Sequence, residues 1–241
     1  MRAALGVIFF VMLLVLYSSA SEASGQTCKD CVYSNVASAF CFPADKIAKK
    51  EFPSPDGLKK IIVKVKPESA PDIFVEIEGH EFPINFSPWP CPEFEWSQDS
   101  KAFFLTYSDG GAVGNYRIIV GYPSGKGVKI IDPSSYVQRD FLAHYPTCFE
   151  PEGPNIGGIA WLKDSHHLLI AAEVLPHSNC DMSGTFAAYL IEMPSGKIVK
   201  KFGQIEAKQE FGGLLGLELR NSDDECFTSP GACEIPSLHG E

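Results

Sequence analysis

Three segments of the chain repeat one turn-and-strand pattern, and this repeat limits the fold more than any other feature. Each segment has an aromatic or apolar lead-in, a polar turn with an Asp, a small residue directly after the Asp, and an apolar strand. The segments are FPSPDGLKKIIVKV (52–65), FEWSQDSKAFFLTY (94–107) and IAWLKDSHHLLIAA (159–172). Because an Asp side chain accepts hydrogen bonds from turn N–H groups, the pattern predicts equivalent structural turns between antiparallel strands at Asp56, Asp99 and Asp164.

A second strand follows the strand of each segment and ends at a glycine turn. Two of these turns share the tetrapeptide PSGK, at 123–126 and 194–197. The first and second Asp residues are 43 residues apart, which is the length of a four-stranded propeller blade. The second and third are 65 residues apart, so we interpret this interval as one blade with an insertion of about twenty residues at 133–154.

The three blocks resemble the TolB-like β-propeller repeat, whose signature is an aromatic residue followed by Ser-Pro-Asp-Gly and a strand. The best match is Ser54-Pro55-Asp56-Gly57, whereas the second and third blocks lack the proline and the glycine. The resemblance covers three degenerate repeats over residues 50–203 and implies propeller-type sheets. It carries little information on function, because such repeats occur in binding modules, scaffolds and enzymes alike.

The fold class that we expect is mainly β, a β-propeller-like array of antiparallel sheet blocks that is partial or open. Closed propellers typically have four or more blades, and this chain has three blocks. The segment FGGLL (211–215) echoes IGGIA (156–160) and is a candidate start of a fourth block. Otherwise the array stays open, or the N-terminal segment or another chain completes it. The alternative fold is an antiparallel β-sandwich, in which the repeats are recurrent hairpins.

The N-terminus has the three parts of a secretory signal peptide. Arg2 is followed by the apolar run 3–17 and by small residues at 18–20. An apolar run of about fifteen residues is shorter than the ~20 that a helix needs to span a bilayer. We therefore predict cleavage after Ala20, or as late as Ala23, and a secreted or periplasmic mature protein.

The sequence divides into four parts. Residues 1–20 are the predicted signal peptide. Residues 21–50 form a cysteine-containing segment whose weak helical character predicts a short N-terminal helical segment. Residues 51–220 form the β domain with its three propeller-like repeats. Residues 221–241 form a polar C-terminal tail that contains two cysteines.

All eight cysteines follow the signal peptide, and an even number in an exported chain predicts disulfide bonds. We expect Cys226 and Cys233 to close a C-terminal loop, and Cys148 and Cys180 to tie two loops together. The three cysteines of the N-terminal segment cannot all pair among themselves, so one must pair elsewhere, with Cys91 as the candidate partner. The disulfide candidates are Cys28, Cys31, Cys41, Cys91, Cys148, Cys180, Cys226 and Cys233.

The formal net charge of −10 limits the partners that the chain can have. Such a surface repels phosphate backbones and anionic lipid headgroups, so we expect no nucleic acid partner. No apolar stretch after the signal peptide has the length that a membrane span needs. We therefore expect no membrane span once the signal peptide is removed.

No motif in the chain predicts a cofactor or a metal site. The CxxC at Cys28 and Cys31 has no strand before it, unlike thioredoxin-like redox sites, and it predicts a structural disulfide. His166 and His167 are neighbours on a strand and point to opposite faces, so they do not chelate one metal together. The sequence also lacks the Gly-x-Ser-x-Gly elbow of serine hydrolases, and we predict no catalytic residue.

Two segments, 133–154 and 173–185, are the expected binding loops, because loops on a rigid β frame commonly carry binding residues. We predict an exported, non-catalytic, β-propeller-like module that binds a protein or envelope component through these loops. The alternative is an exported hydrolase with its site among the same two loops. The candidate binding residues are His144, Tyr145, His177 and Asp181.

Overall fold

A computed structural model of the chain describes residues 31–41, 47–67, 69–86, 89–108, 115–144, 153–176, 178 and 182–222. Within these ranges the protein is mainly β and contains three antiparallel sheets, none of which is closed. Residues 31–41, here called the strap, precede the first long strand. They pair with the second sheet at one point and contact the third sheet at another.

The strands are numbered along the chain, beginning with β1 (Ser38–Ala39) in the strap. The first sheet has the order β2 (Ala48–Pro53), β3 (Lys59–Val65), β4 (Asp72–Ile77), β5 (His80–Ile84). The second sheet has the order β1, β6 (Trp89–Trp96), β7 (Phe103–Ser108), β8 (Tyr116–Ser124), β9 (Gly127–Ile131). The third sheet has the order β10 (Asn155–Trp161), β11 (His167–Glu173), β12 (Phe186–Glu192), β13 (Lys197–Gly203).

The three sheets pack face to face in chain order, and each neighbouring pair encloses a hydrophobic core. Neighbouring side chains on a strand point to opposite faces, so the middle sheet contributes to both cores. Phe103 of β7 packs with Val63 and Val75 of the first sheet. Phe104, the next residue, packs with Leu168 of the third sheet. Strands with consecutive apolar residues are therefore concentrated in the second and third sheets, where both faces are covered.

Two of the three described helices cover the side of the third sheet that faces away from the stack. In the described part of the chain the helices are α1 (Ser134–His144), α2 (Gln204–Phe211) and α3 (Leu217–Asn221). α2 buries Ala207 and α3 buries Leu219 in a core that also contains Phe202 of β13 and Tyr33 of the strap. α1 packs instead into the core between the second and third sheets.

The outward face of the first sheet carries charged side chains in place of a further apolar layer. Lys60 forms ion pairs with Glu51 on β2 at 3.0 Å and with Glu76 on β4 at 3.2 Å. Lys64 pairs with Glu81 on β5 and lies over the ring of Phe74. Exposed pairs of this kind contribute little to stability, but they make the face compatible with water.

The three Asp residues of the repeat lie in turns that join β2 to β3, β6 to β7 and β10 to β11, in three different sheets. Each Oδ1 accepts a hydrogen bond from the N–H two residues later, at 3.0 Å for Asp56, 3.1 Å for Asp99 and 2.8 Å for Asp164. The residue directly after each Asp has a positive φ, 71° at Gly57, 59° at Ser100 and 58° at Ser165. A short side chain or none suits that left-handed conformation.

The turns of neighbouring sheets are joined by hydroxyl contacts that recur along the stack. The N–H of Asp56 donates to Ser100 Oγ at 2.9 Å, and the N–H of Asp99 donates to Ser165 Oγ at 3.1 Å. In the second and third blocks, the serine after the Asp thus accepts a hydrogen bond from the N–H of the Asp in the preceding turn. Gly57 holds this position in the first block and has no hydroxyl, which agrees with its place at the start of the stack.

Tryptophan side chains form a second set of recurring bonds between sheets. Trp96 Nε1 donates to the carbonyl of Phe52 at 3.1 Å, and Trp161 Nε1 donates to the carbonyl of Glu95 at 3.3 Å. Both tryptophans stand three residues before the Asp of their turn, and both acceptors stand four residues before the Asp of the preceding turn. Pro53 holds the tryptophan position in the first block and has no donor to offer.

The strap is fixed along its length by contacts to two sheets. Its Ser38 is the register partner of Phe94 on β6, and the ring of Tyr33 covers Gly157 on β10, where an added Cβ would lie 2.2 Å from the ring. A disulfide bond joins Cys41 to Cys91. The prediction that Cys91 pairs with a cysteine of the N-terminal segment is therefore confirmed.

Two segments of the β domain differ from what the sequence predicted. The insertion at 133–154 was expected to be a loop and contains α1, whose Val137 and Phe141 lie one turn apart and both face the core. The segment 211–215 does not start a fourth sheet, because it closes α2 and places Leu215 opposite Ser34 of the strap.

The N-terminal segment also differs from its prediction where the structure describes it. Residues 31–41 contain bends and β1 but no helix, and the residues from Ala48 onward form β2 instead of the end of a helical segment. β2 forms because Ala48 pairs with Val65 of β3. The predicted signal peptide, residues 1–20, lies outside the described residues.

We predict that Asp99→Ala lowers the free energy of unfolding by about 1 kcal/mol, because it removes an acceptor from the turn. The matched control is Asp99→Asn, which keeps an oxygen for the N–H of Lys101 and should cost less. Chemical denaturation of the three proteins measures both values. Equal losses in the two variants would show that the charge of Asp99, not its turn bond, stabilises this position.

Candidate functional site

Long connections from two neighbouring sheets leave the stack at the same end, here called the loop end. β7 ends and β8 begins there, and so do the start of β10, the end of β11 and the start of β12. The repeat turns with Asp56, Asp99 and Asp164 lie at the opposite end. The loop end therefore carries the β7–β8 connection, the chain between α1 and β10, and the β11–β12 connection.

A buried polar cluster ties the bases of these connections together. The N–H of Tyr116 at the start of β8 donates to Asn155 Oδ1 at the start of β10, at 3.0 Å. Asn155 Nδ2 lies 3.4 Å from Glu173 Oε2 at the end of β11. Tyr33 of the strap donates its hydroxyl to the same Oε2 at 2.8 Å. We call these four residues the loop-base cluster.

Glu173 is the most constrained member of the loop-base cluster. Its side chain is fully buried, and its Oε1 has no hydrogen-bond partner among the described residues. Burial raises the pKa of Glu173 to about 8, against the lowering effect of the bond from Tyr33. The carboxyl group is therefore mainly protonated at neutral pH, a form that costs less to bury than a carboxylate. Burial and the nearby Glu173 also raise the pKa of Tyr33.

A second buried carboxyl group, Glu93 on β6, holds the strap. Glu93 accepts hydrogen bonds from three consecutive backbone N–H groups, those of Val32, Tyr33 and Ser34. Burial raises the pKa of Glu93 to about 7, and the backbone bonds act in the opposite direction. The three donors converge on one side chain, so Glu93 fixes the strap where Tyr33 enters the loop-base cluster.

Two side chains of the second sheet bind the edge of β10 in the third sheet. Glu95 Oε2 accepts the N–H of Trp161 at 3.0 Å, and Thr106 Oγ1 accepts the N–H of Gly158 at 2.9 Å. Burial raises the pKa of Glu95 to about 7. These acceptors take the place of a neighbouring strand, because N–H groups of a buried strand edge need partners. They fix the third sheet against the second along β10, from Gly158 to Trp161.

The predicted binding residues lie mostly outside the described part of the chain. His144 is the last residue of α1, is exposed, and contacts the carbonyl of Asp140 through Nδ1 at 2.8 Å. Tyr145, His177 and Asp181 lie outside the described residues, so a convergence of the four remains a prediction. Their flanking residues, including Glu173, belong to the loop end.

Of the eight cysteines, three lie in the described part of the chain, and these are Cys31, Cys41 and Cys91. Cys31 is buried in the strap. The other five disulfide candidates lie outside the described residues, and these are Cys28, Cys148, Cys180, Cys226 and Cys233.

At the end of the stack opposite the loop end, His167 Nδ1 lies 2.6 Å from Asp164 Oδ2. Bonds from His167 and His166 outweigh the effect of burial and lower the pKa of Asp164 to about 2.

The burial of Glu93, Glu95 and Glu173 was not predicted from the sequence. Glu93 and Glu95 alternate with Phe94 and Trp96, a pattern that predicts an exposed polar face on β6. The structure covers that face with the strap and the third sheet. The available signal was that two acids alternate with two aromatic residues directly before a repeat turn.

Comparison with known proteins finds no match, so the assignment of a function rests on the geometry of the structure. No protein-family model matches the chain, and no curated protein or solved structure shows significant similarity to it. Within the described ranges, no group of three or more His, Cys, Asp or Glu side chains could hold a metal ion. None of the described helices combines the length and the apolar character that a membrane crossing needs.

We predict that the stability of the protein falls between about pH 5 and pH 8, partly because of Glu173. Its pKa rises from 4.5 to about 8 on folding, so its stabilising effect is complete below pH 4.5 and is lost as the pH approaches 8. Glu173→Gln cannot ionise and should flatten this dependence, leaving the part due to Glu93 and Glu95. Urea denaturation at a series of pH values measures the slope.

The control for this measurement is Glu210→Gln, which removes an exposed carboxylate from α2. It should keep the pH dependence of the wild-type chain between pH 5 and pH 8. If Glu173→Gln has the wild-type slope as well, Glu173 is not protonated in the folded protein, and the description of the loop-base cluster as mainly neutral is wrong.

Proposed function

We propose that the chain is an exported, non-catalytic module of propeller-like sheets that binds a protein or envelope component through the connections at its loop end. The observation that carries this proposal is the loop-base cluster. It joins the starts and ends of connections from two sheets through Tyr116, Asn155 and Glu173. Connections that are fixed at their bases by a rigid frame are where binding residues commonly lie.

The propeller-like part of the proposal is supported by bonds that recur between sheets. Ser100 and Ser165 each receive the N–H of the preceding turn, and Trp96 and Trp161 each donate to the preceding sheet. Hairpins that resembled one another by chance would not make the same contacts to the next block. In this proposal the three blocks form an open array, with the strap along its inner strands.

Export is supported by two independent features. The tripartite N-terminus is typical of a secretory signal peptide. The disulfide between Cys41 and Cys91 is of a kind that persists in oxidising compartments and is rare in the cytosol. A secreted or periplasmic location accounts for both features.

Two variants with four substitutions each test binding at the loop end. The first carries Ala at the candidate residues His144, Tyr145, His177 and Asp181. The control carries Ala at Lys101, Lys126, Lys163 and Ser195, which lie in turns at the opposite end. Each protein is expressed with its signal sequence, cross-linked in the exported fraction and purified under denaturing conditions.

We expect one cross-linked partner with the wild-type chain and the control, and a loss of that partner with the loop-end variant. Circular dichroism of both variants verifies that the fold is kept. Equal capture by the two variants would contradict binding through the loop end. Hydrolysis of ester or peptide substrates by the wild-type chain but not by the loop-end variant would show that the chain is a hydrolase and not a non-catalytic binding module.

A further inference from the structure

A groove lies between α1 and β13, at the edge of the third sheet. The ring of Tyr136 covers Gly196, where an added Cβ would lie 2.8 Å from the ring, and Asp140 forms an ion pair with Lys201 of β13. The groove encloses about 420 Å³ and is also lined by Arg139 and Lys197. We call it the α1–β13 groove.

The α1–β13 groove is lined by basic side chains, two of which form no ion pair in the described part of the chain. Lys201 is balanced by Asp140. Neither Arg139 nor Lys197 forms an ion pair within the described part of the chain, although Glu192 is the register partner of Lys197. The whole chain has a formal net charge of −10, and the groove places two cations that form no ion pair in the described part of the chain beside an exposed tyrosine. They favour an occupant that carries carboxylates.

The described part of the chain ends next to the same strand. Gln204 directly follows the last residue of β13, and its Nε2 donates to Ser222 Oγ at 3.3 Å. The carbonyl of Ser222 also accepts a bond from Lys208 of α2. The residues after Ser222 therefore continue from the end of β13 that lies farthest from Lys197.

The segment that continues from this point has the complementary charge. Residues 223–241 contain no Lys or Arg, and their acidic residues are Asp223, Asp224, Glu225, Glu234 and Glu241. An extended chain advances roughly 3.3 Å per residue, as a strand does. β13 has 7 residues, so a similar number of tail residues reaches back from Ser222 to Lys197, and Glu234 and Glu241 are the acids that lie beyond that length.

We propose that the α1–β13 groove is the docking site of the chain's own acidic segment, residues 223–241. The segment turns back at Ser222 and lies along β13, where Arg139 and Lys197 bind its carboxylates and Tyr136 covers its backbone. The groove does not include the loop-end connections, so the result of its test does not depend on the proposed binding function.

Zero-length cross-linking of the full chain with a carbodiimide tests the proposal, because the reagent joins a carboxylate and an amine only in direct contact. We expect amide links from Lys197 to acids of residues 223–241, identified by peptide mass spectrometry. The yield should fall in 1 M salt, which screens charges beyond about 3 Å. The matched control is Lys126, which ends the same PSGK tetrapeptide in the second sheet and should not link to the segment.

A second measurement does not depend on cross-linking. Replacing Glu234 and Glu241, the acids that lie beyond the length of β13 from Ser222, by Gln should raise the acetylation rate of Lys197 to that of Lys126, while the wild-type chain keeps Lys197 slower. Equal rates in the wild-type chain, or links to Lys126 as frequent as those to Lys197, would overturn the proposal. In a mixture of ¹⁴N and ¹⁵N protein, links between the two isotopic forms would instead identify a second copy of the chain as the occupant and would overturn docking within one chain.

Discussion

Two glutamates on one face of β6, Glu93 and Glu95, bind the strap and the third sheet to the second sheet. Glu93 accepts three N–H groups of the strap, and Glu95 accepts the N–H of Trp161 at the edge of the third sheet. Without these acceptors, buried N–H groups would lose their partners at a cost of about 1–3 kcal/mol each. The position of the strap, and through Tyr33 that of the loop-base cluster, depends on them.

The ends of the stack are closed by different means. The outward face of the first sheet is covered by ion pairs such as Lys60 with Glu51, whereas the outward face of the third sheet is covered by α2, α3 and Tyr33. Repeat proteins require terminal caps of this kind, because each repeat buries its apolar face only against a neighbour. Pro53 and Gly57 mark the start of the array in the sequence itself, since they lack the donor and the hydroxyl that later blocks use.

The strands and turns were predictable from the sequence because their signals are local. Alternation of apolar residues, an Asp in each turn and a small residue after it are all set by neighbours in the chain, and so the mainly β character is confirmed. The buried acids were not predictable, because their burial depends on the strap and the third sheet, which are distant in sequence. α1 was missed because a single pair, Val137 and Phe141, gives a weak helical signal. Of the predicted binding residues, His144 alone lies in the described ranges.

Hydrogen exchange of the strap tests the central role of Glu93 most directly. Glu93→Met keeps the side-chain length and removes the acceptors, and Glu81→Met on the outward face of the first sheet is the control. We predict that the amides of Val32, Tyr33 and Ser34 exchange faster in Glu93→Met than in the control, while the amides of β3 keep their protection. Unchanged protection of those three amides in Glu93→Met would contradict the account, because the strap would then be held without the carboxylate.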